Sequence, residues 1–184
     1  MGEQKDRMLR GELYNGSDPE LVADHIAARL LFEQYNAIGV AEGERRAELL
    51  RQLLGAVGVG VTIRPPFRCD YGYLTTIGDR VFANFGLVIL DPAPVTIGSD
   101  VQIGPNVQLL TATHPLDAAT RRSGWESAEP IVVGDGGWLG GGVIVCPGVT
   151  IGENTVVGAG AVVARNLPPG VLAVGNPARP IRDL

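Results

Sequence analysis

Two histidines are the only imidazole side chains of this 184-residue chain, and one of them lies where a reactive group is expected. His114 is near the start of a segment, residues 111–129, that shows none of the sequence repeat found on either side. Long loops on a rigid scaffold often carry function. An imidazole can take a proton from a hydroxyl group and pass it to a leaving group, as acyl transfer to an alcohol requires. A loop histidine can equally make a structural hydrogen bond, and the residues alone leave both interpretations open. His25 falls in a predicted helix, where a surface histidine is expected.

A few polar side chains could assist such a base. The Asn84 amide could orient a hydroxyl group or stabilise developing negative charge, and the Asp70 carboxylate could accept hydrogen bonds from a ligand. Glu126 lies in the same segment as His114 and could orient its ring. Asp91 lies at a break in the repeat, and we favour a buried, corner-capping role for it.

Arginines near the C-terminus could bind phosphate groups. Arg165, Arg179 and Arg182 carry guanidinium groups, whose planar donors suit phosphate oxygens. Each could instead be a solvated surface side chain. Trp138 could cover an elongated ligand or pack on the outside of the fold.

These residues are positioned by a repeated stretch between residues 133 and 164. An aliphatic residue recurs there every six residues and is always followed by a residue no larger than cysteine. An α-helix repeats about every 3.6 residues and a strand every two, so neither gives this period. A coil with three short flat faces does. The sequence therefore predicts an all-β solenoid, a parallel β-helix of hexapeptide repeats. The repeating pairs are Val133-Gly134, Leu139-Gly140, Val145-Cys146, Ile151-Gly152, Val157-Gly158 and Val163-Ala164.

The extent of the repeat divides the chain. Residues 1–58 are predicted to form an N-terminal helical cap on the acceptor side, and residues 59–167 the β-helix. Residues 111–129 are expected to be extruded from the coils as a loop. Residues 168–184 form a C-terminal tail that begins with Pro168-Pro169-Gly170.

Two helices are predicted within the cap. Ser17-Asp18-Pro19-Glu20 has the features of a helix start: a capping side chain, an early proline and an acidic first turn. Residues 44–54 form the second helix. We expect the helices to cap the open end of the solenoid and to reach a neighbouring active site. Apolar residues recur at helical spacing in the first of them: Leu21, Ile26, Leu30, Leu31 and Tyr35.

Composition argues against several classes of function. A net charge of −5 does not suit nucleic-acid binding. The sequence contains no run of about 18 apolar residues, so no membrane-spanning helix is predicted. The polar N-terminus does not resemble a secretory signal, so a cytoplasmic protein is expected. Cys69 and Cys146 are isolated and lack the spacing of metal ligands, so no metal site is predicted.

Several motifs resemble those of the maltose and galactoside O-acetyltransferases, a family that includes the nodulation acetyltransferase. The motifs are Asp70-Tyr71-Gly72, Phe82-Ala83-Asn84-Phe85, Thr113-His114-Pro115-Leu116 and Gly175-Asn176-Pro177-Ala178-Arg179. The resemblance covers nearly the whole chain. It implies a left-handed β-helix, homotrimers with active sites between subunits, acetyl-CoA as co-substrate and a sugar acceptor such as maltose, glucose or a galactoside. Gly86 departs from the pattern, since asparagine is frequent there.

The resemblance also implies roles for individual residues. His114 becomes the general base, with Asn84 assisting it, and Asp70, Asn84 and Asp91 become acceptor-binding residues. The Gly141 amide is expected to donate to the thioester oxygen. The remaining acetyl-CoA contacts are expected from four residues near the C-terminus and from the backbone of one coil: Ala159, Ala164, Arg165, Arg179 and Arg182.

Three alternative functions were weighed against sugar acetylation. The acceptor could be a different hydroxyl compound, such as serine or a xenobiotic. A zinc carbonic anhydrase built on similar coils needs three histidine ligands, and this chain has two histidines in all. A non-catalytic β-helical interaction module would need neither His114 with Asn84 nor the terminal arginines.

Overall fold

The computed structural model describes residues 2–184 and contains a parallel β-solenoid with helices at its N-terminal end. The predicted fold class is therefore confirmed. The helices are α1 (Glu3–Leu9), α2 (Pro19–Ala37), α3 (Gly43–Leu53) and α4 (Ala118–Arg122). None of the helices in this part of the chain is long and apolar enough to cross a membrane.

Each coil of the solenoid passes through three sheets, which we call the first, second and third faces, and the coil strands pair in parallel, while the last strand of the second face is antiparallel. The first face contains Ala56–Val57, Thr75–Ile77, Val95–Ile97, Ile131–Val133 and Thr150–Ile151. The second contains Thr62–Ile63, Phe82–Ala83, Gln102–Ile103, Trp138–Leu139, Val156–Val157, Val171–Val174 and Arg179–Asp183. The third contains Phe67–Cys69, Leu87–Leu90, Gln108–Leu110, Ile144–Val145 and Val162–Val163.

The core is a set of aliphatic columns that run along the inside of each face. On the third face the register stacks one buried side chain per coil over the next, which fills a narrow interior with closely packed side chains. The period of six thus has the physical cause inferred from the sequence. This inner column consists of Cys69, Ile89, Leu109, Val145 and Val163.

The corners of the coils form straight edges along the solenoid, and two of them matter for function. The Asn84 edge joins the second face to the third and consists of residues 64–66, 84–86, 104–107, 140–143 and 158–161. The His114 edge joins the third face to the first and consists of residues 70–74, 91–94, 111–130, 146–149 and 164–166. The width of the third face separates the two edges.

Helices α2 and α3 close the N-terminal end of the solenoid. Asp18 caps α2 by accepting a hydrogen bond from the Glu20 amide, as the sequence predicts. The Asn36 side chain bonds both backbone groups of Phe67 at 2.8 Å, which fixes the helix to the first coil. Only some of the apolar side chains that recur along α2 pack into the core, since Ile26 is 52% and Leu30 is 56% exposed.

The start of the solenoid differs slightly from the sequence boundary. Strand Ala56–Val57 precedes residue 59 and already pairs in parallel with strand Thr75–Ile77. Helix α3 ends at Leu53, and the chain enters the first coil almost at once.

The extruded segment has regular structure that its sequence does not predict. Strands Ala112–Thr113 and Trp125–Ala128 form an antiparallel hairpin around helix α4. The N-terminal strand Tyr14–Asn15 adds to the other side of Trp125–Ala128. A small three-stranded sheet therefore fixes the segment beside the His114 edge.

Candidate active site

A cavity of about 380 Å³ lies where the extruded segment, the His114 edge and helix α2 meet. Its lining includes His114 and Glu126 from the segment, Asp70 from the edge and His25 from α2. The cavity thus gathers two imidazoles and two carboxylates around one space.

His114 follows strand Ala112–Thr113 and is accessible from the cavity. Its side chain is 55% exposed, and its Nδ1 atom lies 3.9 Å from Oε2 of Glu126. Because Thr113 pairs with Ser127, the hairpin register places Glu126 across from His114. An accessible imidazole with a carboxylate on one side is suited to exchange a proton with a ligand on the other.

Asp70 is the electrostatically unusual group of the cavity. Burial, together with the neighbouring Asp91 and Glu126 carboxylates, raises the pKa of Asp70 to about 7. Its Oδ1 atom is 3.9 Å from Nδ1 of His25. Near neutral pH the group is therefore partly protonated, and it can either donate or accept a hydrogen bond.

Asp91 holds the corner beneath Asp70 and does not face the cavity. Its fully buried carboxylate accepts hydrogen bonds from the amides of Asp70 at 3.2 Å and Tyr71 at 2.9 Å, and from the Thr75 hydroxyl at 2.9 Å. Burial raises its pKa, although these hydrogen bonds work against the shift. These contacts favour the corner-capping interpretation of Asp91, and its contact with an acceptor stays a prediction.

Asn84 lies on the opposite side of the third face from His114. Its side-chain oxygen accepts a hydrogen bond from the Phe85 amide at 2.9 Å. Gly141 and Ala159 lie on the same Asn84 edge in later coils. Gly86, also on this edge, has φ of 78°, a left-handed conformation that asparagine also tolerates, so the departure from the family pattern keeps the turn.

The candidate cofactor-binding residues near the C-terminus also lie in separate places, some on the His114 edge and others at the end of the second face. Ala164 and Arg165 lie on the His114 edge. Arg179 and Arg182 lie in the strand Arg179–Asp183, which pairs antiparallel with Val171–Val174 at the end of the second face. One chain therefore does not bring all the predicted site residues together.

Some residues of the cavity escaped the sequence-based reasoning. Tyr14 is buried, and burial first and the Glu126 carboxylate next raise its pKa. Ser17 and Arg121 also contribute to the walls. Nothing in the sequence Gly11-Glu12-Leu13-Tyr14 indicates pairing with a strand more than 100 residues away.

The fold and the cavity together define a transferase of the hexapeptide-repeat class, and comparison with known proteins agrees. Residues 130–165 match the family model "Bacterial transferase hexapeptide (six repeats)". Residues 7–58 match the "Maltose acetyltransferase hexapeptide capping motif". This chain belongs to the maltose acetyltransferase family of hexapeptide-repeat acetyltransferases, which confirms the resemblance seen in its motifs.

Three relatives illustrate the match. Nodulation protein L of Rhizobium meliloti is 49% identical over 176 residues, which cover 96% of this chain and 96% of the relative. The maltose O-acetyltransferase of Clostridium difficile 630 superimposes with a TM-score of 0.97 and 44% identity, covering 98% of this chain and 97% of that one. A hexapeptide-repeat acetyltransferase of Vibrio cholerae complexed with acetyl coenzyme A has a TM-score of 0.92 and 39% identity, covering 100% and 99%.

Proposed function

We propose that this protein transfers an acetyl group from acetyl-CoA to a hydroxyl group of a sugar, with His114 as the general base. The observation that carries the proposal is the accessible His114 imidazole in a cavity whose other polar groups suit hydroxyl ligands. Asp70 offers carboxylate oxygens and Ser17 a hydroxyl group, and the Tyr71 ring borders the same space. Many hydrogen-bonding groups beside an aromatic surface favour a polyhydroxylated acceptor.

The chemistry assigned to the chain is a proton relay. His114 removes the proton of the acceptor hydroxyl while its oxygen attacks the acyl carbon, and it then gives this proton to the departing sulfur. Acetyl-CoA supplies the activated acyl group when bound. Asn84 is proposed to assist by orienting the hydroxyl or by stabilising negative charge on oxygen.

A homotrimer would bring Asn84 to His114. The third face is mainly aliphatic on its outer side as well as on its inner side. Strands that are apolar on both sides are usually buried on both sides. A ring of three copies packed through this face would set the His114 edge of one subunit against the Asn84 edge of the next. The outer aliphatic side chains are Val88, Leu90, Leu110, Ile144 and Val162.

The cleft between two such edges would fit an elongated thioester that carries phosphates. On the Asn84 edge a β-carbon at Gly160 would have no atom within 4 Å, so the backbone there is open to close approach by a ligand. Gly141 and Ala159 lie on the same edge, while Arg165 approaches from the other. Arg179 is exposed and can turn toward a phosphate group.

The experiment that tests the proposal is His114→Ala, assayed by thiol release from acetyl-CoA with a panel of sugars, serine and other alcohols. Because the side chain is mostly outside the core, the melting temperature and the affinity for acetyl-CoA should change little. The kcat should fall by about 100-fold or more, the usual contribution of a general base. Wild-type turnover in this variant would refute the assignment, and preference for a non-sugar alcohol would refute the acceptor class.

A further inference from the structure

We propose that Glu126 is the residue that positions His114, by accepting a hydrogen bond from its Nδ1–H and leaving Nε2 free to take the acceptor proton. The inference rests on the proposed function of His114 and adds the group that sets its tautomer. In the relay, the acceptor O–H bond breaks and an Nε2–H bond forms. The Nδ1 proton stays between the imidazole and the carboxylate until the Nε2 proton leaves with the sulfur.

The geometry requires only a small movement. Glu126 Oε2 lies 3.9 Å from His114 Nδ1, and a side-chain rotation of either residue would bring the atoms to a hydrogen-bond distance of about 2.8 Å. Catalytic hydrogen bonds are often long before the substrates bind. An imidazolium formed at His114 would then lie directly beside a carboxylate of opposite charge.

The surroundings of Glu126 hold its carboxylate in place. Its backbone pairs with Tyr14 of the N-terminal strand, and its side chain is only 24% exposed. The other carboxylate oxygen, Oε1, lies against Gly16, where even a β-carbon would collide with it. Glycine at 16 therefore leaves the space that Glu126 occupies, and the N-terminal strand serves to aim this side chain.

Arg121, the arginine that lines the same cavity, is a poor partner for Glu126. Arg121 lines the cavity, but its guanidinium donates to the Pro115 carbonyl at 2.8 Å and to the Leu116 carbonyl at 3.1 Å. The Arg121 side chain is thus committed to the turn that follows His114. Glu126 Oε2 therefore stays available to the imidazole 3.9 Å away, while the buried Tyr14 hydroxyl is a second hydrogen-bonding neighbour of the same carboxylate.

Four variants test the proposal in the full-length protein: Glu126→Ala, Glu126→Gln, Gly16→Ala and the control Glu129→Gln. Glu129 is an exposed carboxylate that follows the same strand, and its replacement should leave kcat unchanged. Glu126→Ala should lower kcat by about 10- to 100-fold with little change in the KM for acetyl-CoA. Glu126→Gln should lower kcat less than Glu126→Ala, because the glutamine amide oxygen can still accept a hydrogen bond from His114 Nδ1–H. Gly16→Ala should displace the carboxylate and lower kcat, yet cost nothing further when combined with Glu126→Ala.

A spectroscopic readout separates positioning from a merely structural role. With only two histidines, the ¹⁵N signals of the His114 ring can be assigned by comparison with His25→Asn. The wild type should show the Nδ1–H tautomer, and Glu126→Ala should shift the population toward Nε2–H, while Glu126→Gln should keep it. Equal melting temperatures would show that the hairpin is intact.

The possible failures are distinguishable. Unchanged kcat and tautomer in Glu126→Ala, with His114→Ala inactive, would overturn the inference and leave the proposed function standing. A raised KM for the acceptor with unchanged kcat and tautomer would make Glu126 a binding residue and also overturn it. Full activity of His114→Ala would remove the proposed function and, with it, the basis for this inference.

Discussion

Asp70 has a pH dependence that can be measured without any substrate. Its pKa of about 7, raised mainly by burial, lies above the value of an exposed aspartate, so the folded protein retains a proton that the unfolded chain has lost. Stability should therefore fall as pH rises from about 4 to 7 and then level off. Asp70→Asn should remove this cost and be more stable than the wild type at pH 8, by roughly a few kcal/mol, but not at pH 4.

Thermal melts across this pH range check the sign, and Asp117 offers a matched control. The hydrogen bond from the Thr120 amide lowers the pKa of Asp117, so its contribution is present above the unfolded pKa and lost as pH falls. Asp117→Asn should consequently lose stability at pH 8, opposite to Asp70→Asn. A gain in Asp70→Asn that is equal at every pH would contradict the titration.

Replacing Arg179 should raise the KM for acetyl-CoA more than the KM for the acceptor. If its guanidinium pairs with a phosphate of acetyl-CoA, Arg179→Ala loses a charge-assisted bond worth about 1–3 kcal/mol, which is roughly 5- to 150-fold in the KM for acetyl-CoA. The KM for the acceptor should hardly move. Arg51→Ala on α3 removes the same charge elsewhere and serves as the control. An unchanged KM for acetyl-CoA would make Arg179 a solvated side chain.

Individual site residues were identifiable from the sequence only where a motif or a break in the repeat marked them. His114 and Asp70 were found in this way, and both line the cavity. Glu126 was a candidate to orient the His114 ring, but the 11 residues between them contain no pattern that fixes their separation. Their contact depends on the hairpin register, which tertiary pairing with Tyr14–Asn15 helps to set.

At the scale of elements, the solenoid corners depend on polar side chains that replace missing backbone partners. The Thr75 hydroxyl donates to the buried Asp91 carboxylate at 2.9 Å. Thr75→Val should keep the shape and leave one carboxylate oxygen without this donor, which costs about 1–3 kcal/mol in the free energy of unfolding. Urea titration should detect this loss, whereas Thr76→Val, at an exposed position of the same strand, should be nearly neutral. Equal effects in the two variants would contradict the capping role.

The elements differ in how far their sequence determines them. The period of six defines the coils, because burial alternates with it in every turn, and Asp18 marks the start of α2 by a local interaction. Ile26 and Leu30 fit a helical pattern, yet both side chains are exposed. Helical spacing alone does not specify which other element, if any, packs against a residue. Pairing of strand Tyr14–Asn15 with the extruded segment is a contact between distant parts of the chain, which local patterns do not encode.

At the scale of the whole molecule, the solenoid explains why the predicted site looks incomplete. The period of six assigns every residue to a face or an edge, so the separation of Asn84 from His114 was implicit in the repeat. What the repeat does not contain is the packing of one solenoid on another. In the proposed homotrimer, that packing depends on the outer side chains of the third face, among them Val88, Ile144 and Val162.

Subunit mixing provides the most direct test of the shared site. If His114 of one subunit works with Asn84 of the next, trimers assembled from His114→Ala and Asn84→Ala chains contain some sites with both residues intact. In an equal, random mixture each residue is wild type in half of the cases, so about a quarter of the sites should be complete. Activity should therefore rise from the low levels of the parents toward about a quarter of the wild-type rate after joint unfolding and reassembly.

The control for subunit mixing uses two residues of the same edge. His114 and Glu126 lie in one chain and line one cavity, so a mixture of His114→Ala with Glu126→Ala creates no site that has both. Its activity should not exceed the average of the two parents, measured at the same total protein concentration. Recovery in this mixture as well would mean that rescue arises from something other than shared sites. No recovery in the Asn84 mixture, or a fully active monomer by mass measurement at micromolar concentration, would show that the two edges do not cooperate across subunits.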